Sequence, residues 1–276
     1  WTARRCHSLN MAMYESFAQV YDKFMDNVPY DSWSRKLCRI LSRYGIDDGL
    51  VLDLGCGTGQ MTRRLRDRGY DMIGVDGSED MLQVAMEHEQ GRGDILYLLQ
   101  DMRAFELYGT VRAVCSCCDC LNYLESEEDL LTVFKLVENY LDPGGIFVFD
   151  MNTAYYYEHE LAQNVFADVR EECTLVWEND YHPDLCENEY DLTIFARLEN
   201  GLYQRTSETH VERAYPMETV KRLAEEAGLI FQAAFDGYSE RPLAPDSSRM
   251  LLVFRESGRK LCGQTKSDSG LTHGKS

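Results

Sequence analysis

Between Leu50 and Asp150, apolar runs alternate regularly with amphipathic stretches, and this alternation constrains the fold more than any other feature of the chain. Leu50–Leu54 is a short apolar run closed by Gly55, and the segment after it carries Met61 and Leu65 at helical spacing until Gly69. Asp71–Asp76 reads as a second strand. Ser78 follows where a helix N-cap is needed, with Glu79 and Asp80 in the first turn, where carboxylates suit the helix dipole. Ile95–Leu99 and Val111–Cys118 read as the third and fourth strands. Ser126 with Asp129 makes a capping-box pattern, and Leu130, Val133, Phe134 and Val137 share one face of the helix it opens. Pro143-Gly144-Gly145 ends that unit, and Ile146–Asp150 is a fifth strand. Strands and helices alternating at this spacing predict parallel βαβ units.

Two regions flank this core. Tyr14, Phe17, Ala18, Tyr21 and Phe24 fall at helical spacing, as do Trp33, Leu37, Ile40, Leu41 and Tyr44, which predicts two amphipathic helices. From about Asp168 to Tyr215 the pattern changes. Cys173, Leu175 and Trp177 alternate with polar neighbours, Leu192 to Leu198 do the same, and Asn200-Gly201 is a hairpin signal, so an antiparallel insert of about three strands is expected. The chain returns to a helix begun by Pro216 and ended by Gly228, then to strands near Leu229–Phe235 and Arg249–Phe254.

The glycine-rich stretch Asp53-Leu54-Gly55-Cys56-Gly57-Thr58-Gly59 closes the first strand. Glycines at such a turn let a ligand approach the backbone, and the helix beyond offers unpaired N–H groups. Asp76 follows about 20 residues on, at the end of the next strand, where an acidic side chain suits a ribose diol. A bound nucleoside is therefore expected. The dinucleotide fingerprint would place its third glycine at position 60, which is Gln60; here the glycine is Gly59.

A GxGxG turn preceded by an acidic residue resembles motif I of class I S-adenosylmethionine (SAM)-dependent methyltransferases. The resemblance runs from about Tyr14 to Phe254. It includes Asp101-Met102 after the third strand, Asp119-Cys120-Leu121-Asn122-Tyr123 at the tip of the fourth, and Pro143-Gly144-Gly145. Tyr14–Met25, with Val28-Pro29-Tyr30 and Trp33, looks like a bacterial branch of small methyltransferases of largely unassigned substrate. The resemblance implies a Rossmann-like, seven-stranded, mostly parallel sheet with helices on both faces, its last strand antiparallel, and a small antiparallel insert over the active site. It also implies cofactor contacts from Asp53, Gly55, Gly57 and Gly59 at the methionine end, Asp76 at the ribose, and Asp101 and Met102 near the adenine, with Cys56, Gly77, Met81 and Cys117 as further cofactor contacts. Asp119 would stand near the sulfonium and is the candidate catalytic residue. Tyr14 and Tyr21 belong to a helix that would close over the cofactor. Asn122, Tyr123, Asp150 and Asn152 are the candidate acceptor contacts.

Simpler readings stand beside these. Cys115, Cys117, Cys118 and Cys120 would share one buried strand, where free Cys behaves as a small hydrophobe rather than as a zinc ligand, so no metal is expected. His210 in a strand reads as structural before it reads as a general base. Tyr14 and Tyr21 would pack in the core were the helix not a lid. The net charge of −19 argues against nucleic acid, which needs clustered cations. No apolar run is long enough to span a bilayer and no signal peptide is evident, so a cytoplasmic location with reduced thiols is expected.

Residues 1–13 read as a leader, 14–256 as the methyltransferase domain with 168–215 as its insert, and 257–276 as a disordered tail. The expected reaction is methyl transfer from SAM to a nitrogen, oxygen or carbon nucleophile of a small molecule. A non-enzymatic SAM-binding module and a nicotinamide-dependent oxidoreductase are the alternatives.

Overall fold

The computed structural model describes Ala18, 20–198 and 201–258. The expected leader, Tyr14 and the tail beyond residue 258 lie outside the described residues.

The alternating segments form a single seven-stranded sheet. Its strands are β1 (Gly49–Leu54), β2 (Tyr70–Asp76), β3 (Ile95–Leu99), β4 (Val111–Ser116), β5 (Leu141–Asn152), β10 (Leu229–Asp236) and β11 (Arg249–Glu256), in the spatial order β10-β11-β5-β4-β1-β2-β3. β1 pairs in parallel with both β2 and β4, while β11 runs antiparallel to β5 and to β10. Strand order therefore reverses between β1 and β4, and sheets of this kind bind ligands in the crevice outside the carboxyl ends of such a pair.

Strict alternation along the strands gives the sheet two cores. Leu52, Leu54, Val114, Phe147, Phe149 and Phe254 face helices α4 (Glu127–Tyr140) and α5 (Met217–Glu226). Val51, Ala113, Val148, Leu251 and Val253 face α1 (Tyr30–Arg43) and α2 (Gln60–Arg66). Between β2 and β3, α3 (Glu79–His88) is capped as expected, Ser78 Oγ accepting the Met81 N–H. The Ser126 hydroxyl likewise accepts the Asp129 N–H at the start of α4.

Three sequence readings need correction. First, the insert has four strands: β6 (Val165–Val169), β7 (Cys173–His182), β8 (Glu187–Arg197) and β9 (Tyr203–Arg213) form a second, antiparallel sheet in chain order. β6 begins ahead of Asp168 and is an edge strand exposed along nearly its whole length, so it carries no alternation for a pattern to detect. Second, β4 stops at Ser116, because Cys118 and Asp119 both adopt positive φ (62° and 54°) and turn the chain off the sheet. Only Cys115 of the four clustered cysteines is on the strand; Cys117 and Cys118 lie just beyond its end and Cys120 opens a 3-10 turn, Cys120–Tyr123. Third, β5 starts at Leu141. Gly144 sits inside it at φ 79°, and the register against β4 skips from Leu141 to Ile146, so the Pro-Gly-Gly run is a bulge in the strand rather than a stop before it.

Candidate active site

The site is built where β1 and β4 part. After β1 the backbone turns through Gly55, Gly57 and Gly59, all at positive φ, which L side chains rarely adopt. At Gly55 a Cβ would also stand 2.7 Å from the Cys120 sulfur, so glycine is required there for space as well as conformation. Asp76, at the end of β2, fixes this loop by accepting the Gly57 N–H at 2.7 Å and the Ser78 N–H at 2.9 Å. Loss of solvation raises its pKa. Asp53 lies below the loop, 1% exposed, and accepts a hydrogen bond from the Thr62 hydroxyl at 2.6 Å. Burial there pushes its pKa up to about 6.

After β4, the two consecutive left-handed residues need support, since each such conformation costs about 1–3 kcal/mol. Asp150 at the end of β5 supplies it. Its fully buried carboxylate accepts the Cys118 N–H at 2.9 Å and the Asp119 N–H at 3.2 Å. It is held in turn by the Tyr238 hydroxyl at 2.6 Å and by an ion pair with Arg249, which also bonds Asp119 at 2.8 Å. Asn122 is buried as well, its amide donating to the Asn152 and Arg213 carbonyls and accepting the Asn152 N–H.

Both loops open onto one cavity of about 1580 Å³. Drug-sized ligands usually occupy about 300–1,000 Å³, so this space is large enough for a nucleoside cofactor and a second molecule. Of the expected cofactor residues, Asp53, Gly55, Cys56, Gly57, Asp76, Gly77, Met81, Met102, Cys117, Asp119 and Tyr21 line it. Gly59 does not, and Asp101 lies in a shallow adjoining groove where Arg103 grips its carboxylate and lowers its pKa. Tyr123 and Asn152 line the cavity. Asn122 and Asp150 sit behind its wall and position the rim, a different place from the acceptor contacts expected of them.

The far end of the cavity is formed by the insert sheet and a π-helical turn, Tyr156–Leu161. Tyr156, Phe166, Trp177 and Tyr190 contribute aromatic faces there. On β9, Glu208, His210 and Glu212 alternate onto the inward face, whereas Val211 points out at 39% exposure. Glu212 is 4% exposed and accepts hydrogen bonds from the Tyr157 hydroxyl at 2.6 Å and the Tyr190 hydroxyl at 2.8 Å. Tyr190 lies 2.5 Å from the Tyr123 oxygen, which is 3.4 Å from His210 Nδ1, and His210 Nε2 is 3.2 Å from Glu208. Burial, reinforced by the charge of Asp119, pushes the Glu212 pKa up to about 7. Glu212, Tyr156, Trp177, Tyr190 and Arg249 were not among the expected site residues. For Glu212 the signal available was a strand, β9, whose inward positions are ionisable while its outward position is Val; Tyr156, Trp177, Tyr190 and Arg249 lie on other elements and carried no such signal.

The segment before α1 closes one side. Asp22 accepts the Thr58 hydroxyl at 2.6 Å and the Gln60 amide at 2.8 Å, which ties this segment to the glycine turn. Gln60 thus occupies, with a bonded side chain, the position that a dinucleotide fingerprint reserves for glycine. Val20 and Phe24 pack on Cys173 and Ile194 of the insert.

Comparison with known proteins agrees with this geometry. Residues 51–145, spanning β1 to the bulge of β5, match a methyltransferase domain family. The chain is 32% identical over 247 residues to "Putative methyltransferase YqeM" of Bacillus subtilis (strain 168), covering 89% of this chain and 98% of that one. A crystal structure of a SAM-dependent methyltransferase from Clostridium acetobutylicum ATCC 824 superposes with a TM-score of 0.80 at 29% identity, covering 89% of this chain and 99% of the other. The sugar N-methyltransferase KedS8 from Streptoalloteichus sp ATCC 53650 shares the fold, with a TM-score of 0.71 at 21% identity over 86% of this chain and 93% of its own. With a GxGxG turn, an acidic second strand end and these relatives along nearly its full length, the chain belongs to the class I SAM-dependent methyltransferases.

Proposed function

We propose that this enzyme methylates a small molecule that enters the aromatic end of the cavity, beneath the insert sheet. One observation carries this reading: a single cavity runs from the glycine turn and Asp76 to a chamber walled by Tyr123, Trp177, Tyr190 and Glu212. Cofactor and acceptor can therefore meet inside it, away from bulk water. The cofactor supplies an activated methyl group on a positively charged sulfur, so the protein needs only to bind, orient and exclude water. Holding a nucleophile in line with that carbon is worth roughly 7–11 kcal/mol of the barrier.

The residues fit such a cofactor. The Asp76 carboxylate lines the cavity and retains capacity to accept hydrogen bonds from a ribose diol. Gly57 has open space where a Cβ would stand. In this reading Asp53 and the turn through Gly59 shape the methionine end, Gly77, Met81 and Met102 flank the base, and Asp101 stands at the outer lip of its pocket. Cys117 and Asp119 border the methyl group, with Asp119 held by Arg249, and Tyr21 closes the site from the N-terminal side. Tyr123 and Asn152 contact the acceptor.

No helix among the described residues is long and apolar enough to cross a membrane. The eight cysteines among them are all free thiols, which supports work in the reducing cytoplasm. The test is titration with SAM and with NAD, followed by transfer of a labelled methyl group to a metabolite panel. SAM should bind at micromolar concentration and NAD should not; tighter binding of NAD, or SAM binding without transfer to any small molecule, would overturn the reading.

A further inference from the structure

The acceptor chamber has a charge imbalance. Seven residues lining the whole cavity are carboxylates and one, Arg249, is a permanent cation. Arg249 is already bonded to Asp119 and Asp150. Glu212 has no ion pair among the described residues, and its two oxygens meet only the neutral hydroxyls of Tyr157 and Tyr190. A buried carboxylate without a cation is costly unless something balances it. Around it stand Tyr123, Tyr156, Trp177 and Tyr190, and aromatic faces attract cations.

From this arrangement we infer that the methyl acceptor is an amine, arriving as an ammonium ion that Glu212 and the surrounding aromatic side chains seat. This rests on the reading of the chamber as the acceptor site. An acidic acceptor would be repelled by Glu212 and Asp119. A neutral alcohol would leave the buried carboxylate uncompensated. An ammonium has no lone pair, so one N–H proton must leave before transfer. Glu212 takes that proton, one of its tyrosine hydroxyls turning away to make room. The nitrogen lone pair then forms the N–CH3 bond while the S–CH3 bond breaks, its electron pair remaining on sulfur. The methylated amine departs as a cation and Glu212 releases its proton to solvent. Burial that raises the Glu212 pKa to about 7 makes it able to hold that proton transiently near neutrality.

Two measurements test this. The first uses sinefungin, a cofactor analogue with a protonated amine where the sulfonium methyl stands, and S-adenosylhomocysteine, which has neither. Calorimetry on the whole chain should find sinefungin binding at least tenfold tighter, and Glu212→Gln should bring the ratio to within about threefold while S-adenosylhomocysteine binds as before. A ratio unchanged by Glu212→Gln would overturn the cation seat. Failure of S-adenosylhomocysteine to bind the unmodified protein would instead overturn the cofactor site. The second measurement needs no variant. Unmodified enzyme is incubated with methyl-tritiated SAM and a deproteinised bacterial metabolite extract, and unreacted SAM is removed on charcoal. Label retained by a cation exchanger at pH 5 is expected; label in the flow-through or on an anion exchanger would overturn the amine assignment.

Discussion

The two ends of the cavity are made in different ways. The cofactor end is shaped by backbone: three left-handed glycines, two strand ends and the N–H groups of Gly57 and Ser78 fastened to one carboxylate. The far end, the proposed acceptor end, is shaped by side chains, phenols, an indole and carboxylates projecting mostly from a separate sheet. Backbone construction suits a ligand that never changes, because a turn of fixed geometry admits few alternatives. Side chains on an antiparallel surface can be exchanged without disturbing the ladder that carries them, which suits the choice of acceptor proposed for this end. The seam between the two ends is Asp150, which holds the Cys118–Asp119 turn facing both.

The largest effect should therefore come from the seam. Asp150→Ala removes the acceptor for two N–H groups at left-handed residues and leaves Arg249 with a single carboxylate. Breaking a buried pair in this way costs about 3–5 kcal/mol. Urea unfolding should show a loss of that size, with cofactor and acceptor binding both impaired. A loss under about 1 kcal/mol would mean that the turn holds itself and the two ends are independent.

Asp76→Ala should separate the ends. Charge-assisted bonds to two ribose hydroxyls are worth about 1.5–3 kcal/mol each, so SAM affinity should fall by about a hundredfold or more. The insert network through Glu212 should be untouched, because no hydrogen bond links the two among the described residues. Calorimetry with circular dichroism as a fold control checks this. Normal SAM binding by the variant would remove Asp76 from the ribose site.

Each end also holds a carboxyl whose pKa burial raises, Asp53 to about 6 and Glu212 to about 7. In both, the folded state binds the proton more tightly than the unfolded chain, so ionisation favours unfolding. The penalty is absent below the unfolded pKa and grows as pH rises toward the folded value. For Asp53 the window runs from 3.8 to about 6 and for Glu212 from 4.5 to about 7. Asp53→Asn keeps an acceptor for Thr62 yet cannot ionise. Its stability relative to the unmodified protein should rise across that window by up to about 3 kcal/mol, at 1.36 kcal/mol per unit. Glu212→Gln should show the same trend displaced toward neutral pH. Urea midpoints at pH 4, 5, 6 and 7 give both curves, and a difference independent of pH would refute the burial argument at that site.

What could be read in the sequence follows the same division. Asp53 to Gly59, Asp76 and the capped helices were legible because a tight glycine turn, an acidic residue ending the next strand and an N-cap each admit few residue types at fixed spacing. β6 was not, because an exposed edge strand has no inward face to mark it. Glu212 and His210 were obscured because a strand reading assumes apolar residues inward, and here the inward residues are ionisable. Asp150 and Asn122 were read as acceptor contacts near strand tips, and their side chains are buried behind the rim. Sequence places a residue at a tip without showing which side of the rim it faces.

The smallest effect, and the most informative about how the ends are joined, concerns the helical segment that stops at Phe24. It touches both: Asp22 accepts from Thr58 and Gln60 at the cofactor turn, while Val20 and Phe24 pack on Cys173 and Ile194 of the insert. Lys23 pairs with Glu172, and Arg170 binds Asp26, at exposed positions worth little individually. A helix of this length is marginal alone and takes its stability from what it packs against. Tyr21 lines the cavity, so bound cofactor enlarges that surface and should stabilise the segment by linkage. Saturating SAM should slow hydrogen exchange at the Val20–Met25 amides by tenfold or more relative to the free protein, and Asp22→Ala should weaken SAM binding about fivefold, close to 1 kcal/mol. Burial of Val20 and Phe24 offers the competing view, a segment permanently part of the core. Equal and strong protection with and without SAM would establish that view, and the two ends would then be bridged by fixed packing rather than by a lid that responds to cofactor.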